Sequence, residues 1–415
     1  MRILKGLKKD RFVRLLEERG ASDLAGVAPA VRRIVNDVRR NGDRALRRYS
    51  VRWDGLGNAE PVRVPEADLH EAWQKIPTEL QDAIAQAAGN IRRYCEWQKP
   101  EEWRRQIQPG VCVGQLVRPL DSVGCYVPSG RYPLPSTLLM TVIPALVAGV
   151  HQIRVVSPRP AQATLAAASF LGVREFYRVG GAQAVAALAY GTKSIPRVSK
   201  IVGPGNRYVT AAKKLVAFDC AIEFLAGPTE AVFISEEGEP VFIACDLVAQ
   251  AEHDPDALCV FITTSRGLAK AVQTEVQRRA RANPIAGESL SRRGAILLVD
   301  SLDDAVEIAN RIAPEHLTLP ATLLPAVRNA GSIFLNQITP QSAGDYISGP
   351  NHVLPTGAMA RVRGGLNVLD YVRIVSCQEI SREGIGCIAP AAIVLAEAEG
   401  LHGHAESLRV RLSYD

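Results

Sequence analysis

The sequence lacks most of the patterns that assign a chain to a class at sight, and each absence narrows the choice. Eight cysteines, at positions 95, 112, 125, 220, 245, 259, 377 and 387, include no C-x-x-C pair, so no thiol spacing marks a metal or redox site. Several, Cys245 and Cys259 among them, lie inside apolar runs and read as reduced core thiols of a cytoplasmic protein. A basic tract with interleaved aromatics is absent too. The 49 Lys plus Arg stand against 43 Asp plus Glu, a net +6 with the cations scattered, so a nucleic-acid partner is not expected. The opening residues, Met1 to Asp10, hold no apolar core of signal-peptide length. One uncharged run, 133–150, approaches membrane-spanning length, but it contains Pro133, Pro135 and Pro144 and leads straight into a strand-like segment. It reads as a buried helix, and no membrane partner is expected. A complete dinucleotide fingerprint is missing as well: Gly203 and Gly205 fit its first two positions, while Tyr208 stands where the third glycine belongs.

What is present is an ordinary globular composition, 47% hydrophobic and 22% charged over 415 residues, enough for a large core and two or three domains. Residues 1 to about 100 space their apolar positions three to four apart, as in Val31, Ile34 and Val38, which predicts helices. From Pro109 the texture changes. Strand-like runs at 123–127, 152–157, 175–179 and 200–202 alternate with helical ones at 136–148, 161–171 and 182–189. A second alternating series runs from Glu230 to Leu335, and the last block ends in an apolar helix, Pro390 to Ala398. Strand and helix in alternation imply an α/β protein with parallel sheets covered on both faces. Two such units suggest two halves with a cleft between them, and ligands are expected at the carboxyl ends of the strands. The glycine turns fall into that scheme: Pro128-Ser129-Gly130, Gly180-Gly181-Ala182-Gln183, Gly203-Pro204-Gly205-Asn206 and Ala226-Gly227-Pro228-Thr229-Glu230.

The chemistry-bearing residues cluster in short stretches. If Val248 to Asp256 holds the last turn of a helix, Gln250 and His253 project from one face at i and i+3. Asp345 in Gly344-Asp345-Tyr346, His352 behind Asn351, and the tail Glu399-Gly400-Leu401-His402-Gly403-His404 supply further nitrogen and oxygen donors. A Gln, His, Asp and His set suits zinc or manganese, with no thiolate involved. A second reading stands beside it: a helix-end His donating to a carbonyl, a Gln in a polar network and an Asp capping a turn. Glu315-His316, after Pro314, pairs side chains of unlike pKa, a general base and a proton shuttle at neutral pH. Its other reading is a first helical turn with Glu on the dipole and His packed.

Taken in order, Gly180-Gly181-Ala182-Gln183-Ala184, Lys200-Ile201-Val202-Gly203-Pro204-Gly205-Asn206, Gln250-Ala251-Glu252-His253-Asp254-Pro255-Asp256, Pro314-Glu315-His316-Leu317, and Gly344-Asp345-Tyr346 leading to Asn351-His352-Val353-Leu354-Pro355 resemble the histidinol dehydrogenases. The resemblance runs from the helical start to the tail. It implies two incomplete Rossmann-like parallel-sheet domains with an N-terminal helical segment and a small C-terminal tail domain. The expected boundaries are an N-terminal arm over 1–24, a discontinuous first domain over 25–119 and 231–366, a second over 120–230 that contacts NAD, and a tail over 367–415. It further implies four-electron oxidation of histidinol through histidinaldehyde to histidine with two NAD. Gln250, His253, Asp345 and His404 would hold one zinc ion per subunit, His404 coming from the other subunit of a homodimer. Glu315 and His316 would be the acid–base pair. Thr229, Gln250, His253, His316, Asp345, His352, Glu399 and His404 would line the substrate pocket, and Tyr126, Gln183 and Asn206 would contact NAD.

Two departures are visible. Thr229 stands where the family commonly has Ser, keeping the hydroxyl and adding a methyl. The family's five-residue interval from Glu399 selects His404 and leaves His402 a bystander. Three rival readings remain: a same-fold dehydrogenase of another small alcohol, such as a sulfonated diol, a zinc hydrolase, and a non-catalytic binding protein with a structural metal. The first should lack a cation-binding Glu399, and the second has no use for a nucleotide cleft.

Overall fold

A computed structural model describes residues 1–19, 24–129 and 132–413; Gly130, named above in a glycine turn, lies outside them. In chain order the strands are β1 (Arg2–Leu4), β2 (Trp103–Gln108), β3 (Val111–Pro119), β4 (Ser122–Tyr126), β5 (Gln152–Val156), β6 (Glu175–Tyr177), β7 (Lys200–Val202), β8 (Ala221–Ile222), β9 (Glu230–Ile234), β10 (Leu258–Thr263), β11 (Ala295–Leu298), β12 (His316–Leu319), β13 (Ser332–Leu335) and β14 (Val372–Ile380). They form two parallel sheets and a small antiparallel one, of order β14-β3-β2.

The parallel sheets share a plan. The five-stranded sheet runs β6-β5-β4-β7-β8, and the six-stranded one runs β1-β11-β10-β9-β12-β13. Counted from β4 and from β9, both follow the order third, second, first, fourth, fifth, the half-Rossmann arrangement, with β1 added at one edge of the larger sheet. Every residue of β9 and β10 is buried. Their uninterrupted Val, Phe, Ile and Leu runs are what a strand covered on both faces requires. Val232, Val260 and Leu317 pack on one face, and Phe233, Cys259 and Phe261 on the other.

Three features differ from the sequence reading. The first residues form β1, paired in register with β11, because Ile3 and Leu4 complete the sheet's open edge. The helices Ala28–Tyr49, Glu66–Lys75 and Thr78–Gln98 pack on helices of the five-stranded sheet, so this part of 25–119 groups with 120–230 and not with 231–366. Their apolar stripes join the cores around Val123, Val155, Val185 and Leu188. The final apolar helix spans Arg382–Ala398 with Pro390 inside it, Ser381 capping its start by accepting from Gly384 N–H. The run 133–150 is the buried helix expected, Pro135–Ala148. Among the described residues, no helix is long and apolar enough to cross a membrane.

Between the carboxyl ends of β4 and β7 the chain comes very close to itself. Gly203 adopts φ 111°, and a Cβ there would stand 2.1 Å from the Tyr126 carbonyl oxygen. A buried ion pair braces the turn: the Lys213 ammonium donates to Glu223 at 2.6 Å and to the Gly203 carbonyl at 3.1 Å, and Gly203 N–H donates to Glu223 at 2.8 Å. Gly203→Ala is therefore expected to cost about 3 kcal/mol or more, from backbone strain and overpacking together. Urea unfolding would measure it, and a loss below about 1 kcal/mol would show that the turn relaxes without cost.

Candidate active site

The candidate residues gather where β9 meets β12. These strands are parallel neighbours with His316 opposite Ala231, so Thr229 and Glu230, entering β9, face Glu315 and His316, entering β12. Ala313 ends the helix Leu302–Ile312 in the left-handed region, and Pro314 then turns the chain into the strand. The pair thus opens a strand, not a helix. All four residues lie at the amino ends of their strands, a correction to the expectation that ligands would meet carboxyl ends in both sheets. Gln250 reaches this edge because its helix, Pro240–Ala251, runs back across the sheet between β9 and β10.

Glu315 is buried, and its Oε2 accepts from the Thr229 hydroxyl at 2.8 Å and from Glu230 N–H at 2.9 Å. Those two donors fix the carboxylate beside His316. The His316 Nδ1 lies 3.6 Å from Glu315, and its Nε2 lies 3.5 Å from Asp345. Neither nitrogen has a hydrogen-bond partner, and the ring stacks on Phe334 with centroids 5.9 Å apart. Burial opposes the charged imidazole, but the two carboxylates outweigh it and push its pKa up to about 10.

Asp345, in the short helix Gln341–Tyr346, is the hub. Burial works against its charge, yet the His316 imidazolium beside it holds the carboxyl below the usual range. The Gln250 amide donates to its Oδ2 at 3.2 Å, so Asp345 is no mere turn cap. Its main-chain carbonyl lies 2.6 Å from His352 Nδ1, which makes that nitrogen the donor. Burial lowers the His352 pKa, so the ring is neutral and its Nε2, 3.2 Å from the Thr137 hydroxyl, is left as an acceptor. Thr137 starts the helix that leaves the carboxyl end of β4. A continuous polar row, Glu315, His316, Asp345, His352, Thr137, therefore joins the amino edge of one sheet to the carboxyl edge of the other.

His253 lies past its helix, in an exposed bend. The helix stops at Ala251, where Pro255 disfavours helical geometry at Asp254, and Asp254 instead accepts from Asp256 N–H at 2.8 Å. His253 still influences the charge of Asp345 and His352. The Gln250 Oε1 is buried with no partner. An orphaned amide oxygen beside a carboxylate, with an imidazole close by, fits a divalent cation of the zinc or manganese kind. Glu399 and His404 are exposed, one closing the helix Arg382–Ala398 and the other on the helix His402–Ser413. Among the described residues no three His, Cys, Asp or Glu side chains of this single chain stand arranged to hold a metal.

At the carboxyl edge of the five-stranded sheet stand Tyr126, Gln183 and Asn206. The Tyr126 hydroxyl accepts from Gly181 N–H at 3.0 Å, Gln183 is buried, and Asn206 caps the helix Arg207–Val216 by accepting from Tyr208 and Val209 N–H. Sequence reasoning missed Thr137 and Glu230 at the polar row, and Asp54, whose Oδ2 accepts from Gly180 N–H at 3.1 Å and from Gln183 Nε2 at 3.0 Å. Asp54 had one legible sign, an acid directly before the left-handed Gly55.

The histidinol dehydrogenase family model matches residues 17–412. A histidinol dehydrogenase of Methanothermobacter thermautotrophicus is 47% identical, the match covering 97% of each chain. One of Methanocaldococcus jannaschii is 40% identical, covering 99% of this chain and 98% of the relative. The crystal structure of histidinol dehydrogenase from Elizabethkingia anophelis superposes with a TM-score of 0.93 at 32% identity, covering 99% of this chain and 98% of that one.

The His316 environment sets a pH dependence. Because its pKa is raised from 6.5 in the unfolded chain to about 10, the charged ring contributes stability in full below pH 6.5 and loses it as pH rises through about 10. In excess chelator, NMR titration of the His316 ring is expected to place its midpoint near that upper value. Asp345→Asn should lower the midpoint by about one pH unit or more; no change would show that Asp345 does not hold the proton there.

Proposed function

The chain belongs to the histidinol dehydrogenase family, and on that premise we propose that it carries out the last step of histidine biosynthesis, taking L-histidinol through L-histidinaldehyde to L-histidine with two NAD. The observation that carries this reading is the row from Glu315 to Thr137, which sets an acid–base pair on the line between the two sheet edges. Gln250, His253 and Asp345, with His404 from a second copy of the chain, would hold one zinc ion, which when bound supplies an anchor for the substrate's imidazole and amino groups.

The residues divide the chemistry. His316 takes the carbinol proton while the first hydride leaves for the nicotinamide held near Tyr126, Gln183 and Asn206. A base must be neutral; with Asp345 engaged as a ligand its pull on His316 would weaken, and the ring would return towards that form. Glu315, oriented by Thr229 and Glu230, removes a proton from the water that adds to the aldehyde, and the hydrate then loses the second hydride. The methyl of Thr229 leaves that orienting hydroxyl in place. His352 stays neutral and lines the pocket, and Glu399 from the second copy would accept from the substrate amino group.

The homodimer rests on surface chemistry. The tail helix leaves Val394 and Leu395 65% and 66% exposed, and Ile374 on β14 is 52% exposed. Exposed apolar side chains along the tail support the reading of a partner surface there. In this reading residues 120–230 bind NAD and residues 367–415 complete the other subunit's site. We place the enzyme in the cytoplasm, where its eight free thiols remain reduced.

His316→Asn is expected to slow histidinol oxidation on the order of 100-fold or more while impairing oxidation of supplied histidinaldehyde less, and Glu315→Gln the reverse. Steady-state rates on each substrate check this, and equal loss in both steps contradicts the division of labour. The shared site has its own test. Asp345→Ala and His404→Ala proteins, each inactive alone, should recover about a quarter of wild-type activity when unfolded together and refolded as a mixture, because a mixed dimer regains one intact site. No recovery would place His404 in its own subunit's site or in none.

A further inference from the structure

The amino end of a helix that follows a glycine turn is a ready anion seat, through free backbone N–H groups and the helix dipole. Here the helix Gly181–Tyr190 begins with that geometry, Gly181 at φ 60°, yet both leading N–H groups are taken. Gly180 N–H donates to Asp54 Oδ2 at 3.1 Å, and Gly181 N–H donates to the Tyr126 hydroxyl at 3.0 Å. The same Asp54 oxygen accepts from Gln183 Nε2 at 3.0 Å. Asp54 itself is only 6% exposed, arriving from a separate helical segment, Ser50–Asp54, that ends on the left-handed Gly55. A protein carboxylate thus fills this helix end's anion seat from within the chain.

We propose that Asp54 is a positioning residue for the dinucleotide: it fills the anion seat at the amino end of Gly181–Tyr190 and, by holding the Gln183 amide nitrogen, presents the Gln183 amide oxygen to the cofactor. An oxygen so presented accepts from a hydroxyl or amide N–H, which a ribose or a nicotinamide carboxamide provides. The cofactor is then gripped by side chains at this edge and not by this helix end. The inference rests on the reading of Gln183 as an NAD contact.

The test measures NAD dissociation constants by titration of the metal-loaded dimer, with KM for histidinol and the unfolding midpoint taken in parallel. Asp54→Ala should weaken NAD about five- to tenfold and leave the histidinol KM within about twofold. Asp54→Asn, whose amide oxygen can accept both bonds, should restore NAD to within about threefold. In a Gln183→Ala background, Asp54→Ala should add less than about twofold, since the two act as one unit. If Asp54→Ala does not fold, Asp54→Ser, which can serve only one of the two donors, carries the same expectation. Unchanged NAD affinity in Gln183→Ala would remove the Gln183 assignment and the proposal with it. Weakened NAD in Gln183→Ala but not in Asp54→Ala, or full additivity of the two, would overturn the proposal alone.

Discussion

The site depends on one partly buried carboxylate. Asp345 receives the Gln250 amide on its side chain, faces His316, and through its main-chain oxygen fixes the tautomer of His352. Three chain segments far apart in sequence are held by that single residue, and a fourth, the helix Pro135–Ala148, joins through Thr137. In a low-dielectric interior such a charge is costly unless paired. The surrounding imidazoles and amide supply the pairing, and the same groups are the ones suited to a cation and a proton carrier. Stability and chemistry draw on the same contacts here.

The two parallel sheets show how one topology serves two purposes. Both carry the half-Rossmann strand order, and in the five-stranded sheet the Gly203-Pro204-Gly205 turn sits at the carboxyl edge, beside the switch between β4 and β7, where such sheets bind ligands. The six-stranded sheet presents its opposite edge, with Thr229, Glu315 and His316 at the strand starts. The carboxyl edge of one sheet thus faces the amino edge of the other across the polar row. A cofactor held at the first edge and a substrate held at the second would meet between them without either sheet departing from its plan.

Several local features are legible in the sequence. Uninterrupted apolar runs announce β9 and β10 as strands covered on both faces, and Pro133, Pro135 and Pro144 mark the apolar run 133–150 as a buried helix. Pro255 explains why the helix carrying Gln250 stops short of His253, so the residues themselves argue against a single helical face for that pair. Other features are hidden. The pairing of Arg2–Leu4 with β11 spans nearly the whole domain, and the packing of the N-terminal helices on the five-stranded sheet depends on which exposed stripes remain once both sheets exist. Asp54 resembles any surface acid until its Gly180 and Gln183 partners, more than a hundred residues away, close around it.

Residue order alone determined the alternation of strands and helices, the glycine turns and the family, because hydrophobic period and turn chemistry are local properties and motif order is read along the chain. Tertiary structure decided which sheet edge carries the Glu315–His316 pair and that this pair opens a strand. Those outcomes depend on register between distant strands and on burial, and neither is encoded in any single stretch; each emerges only when separate segments compete for the same interior.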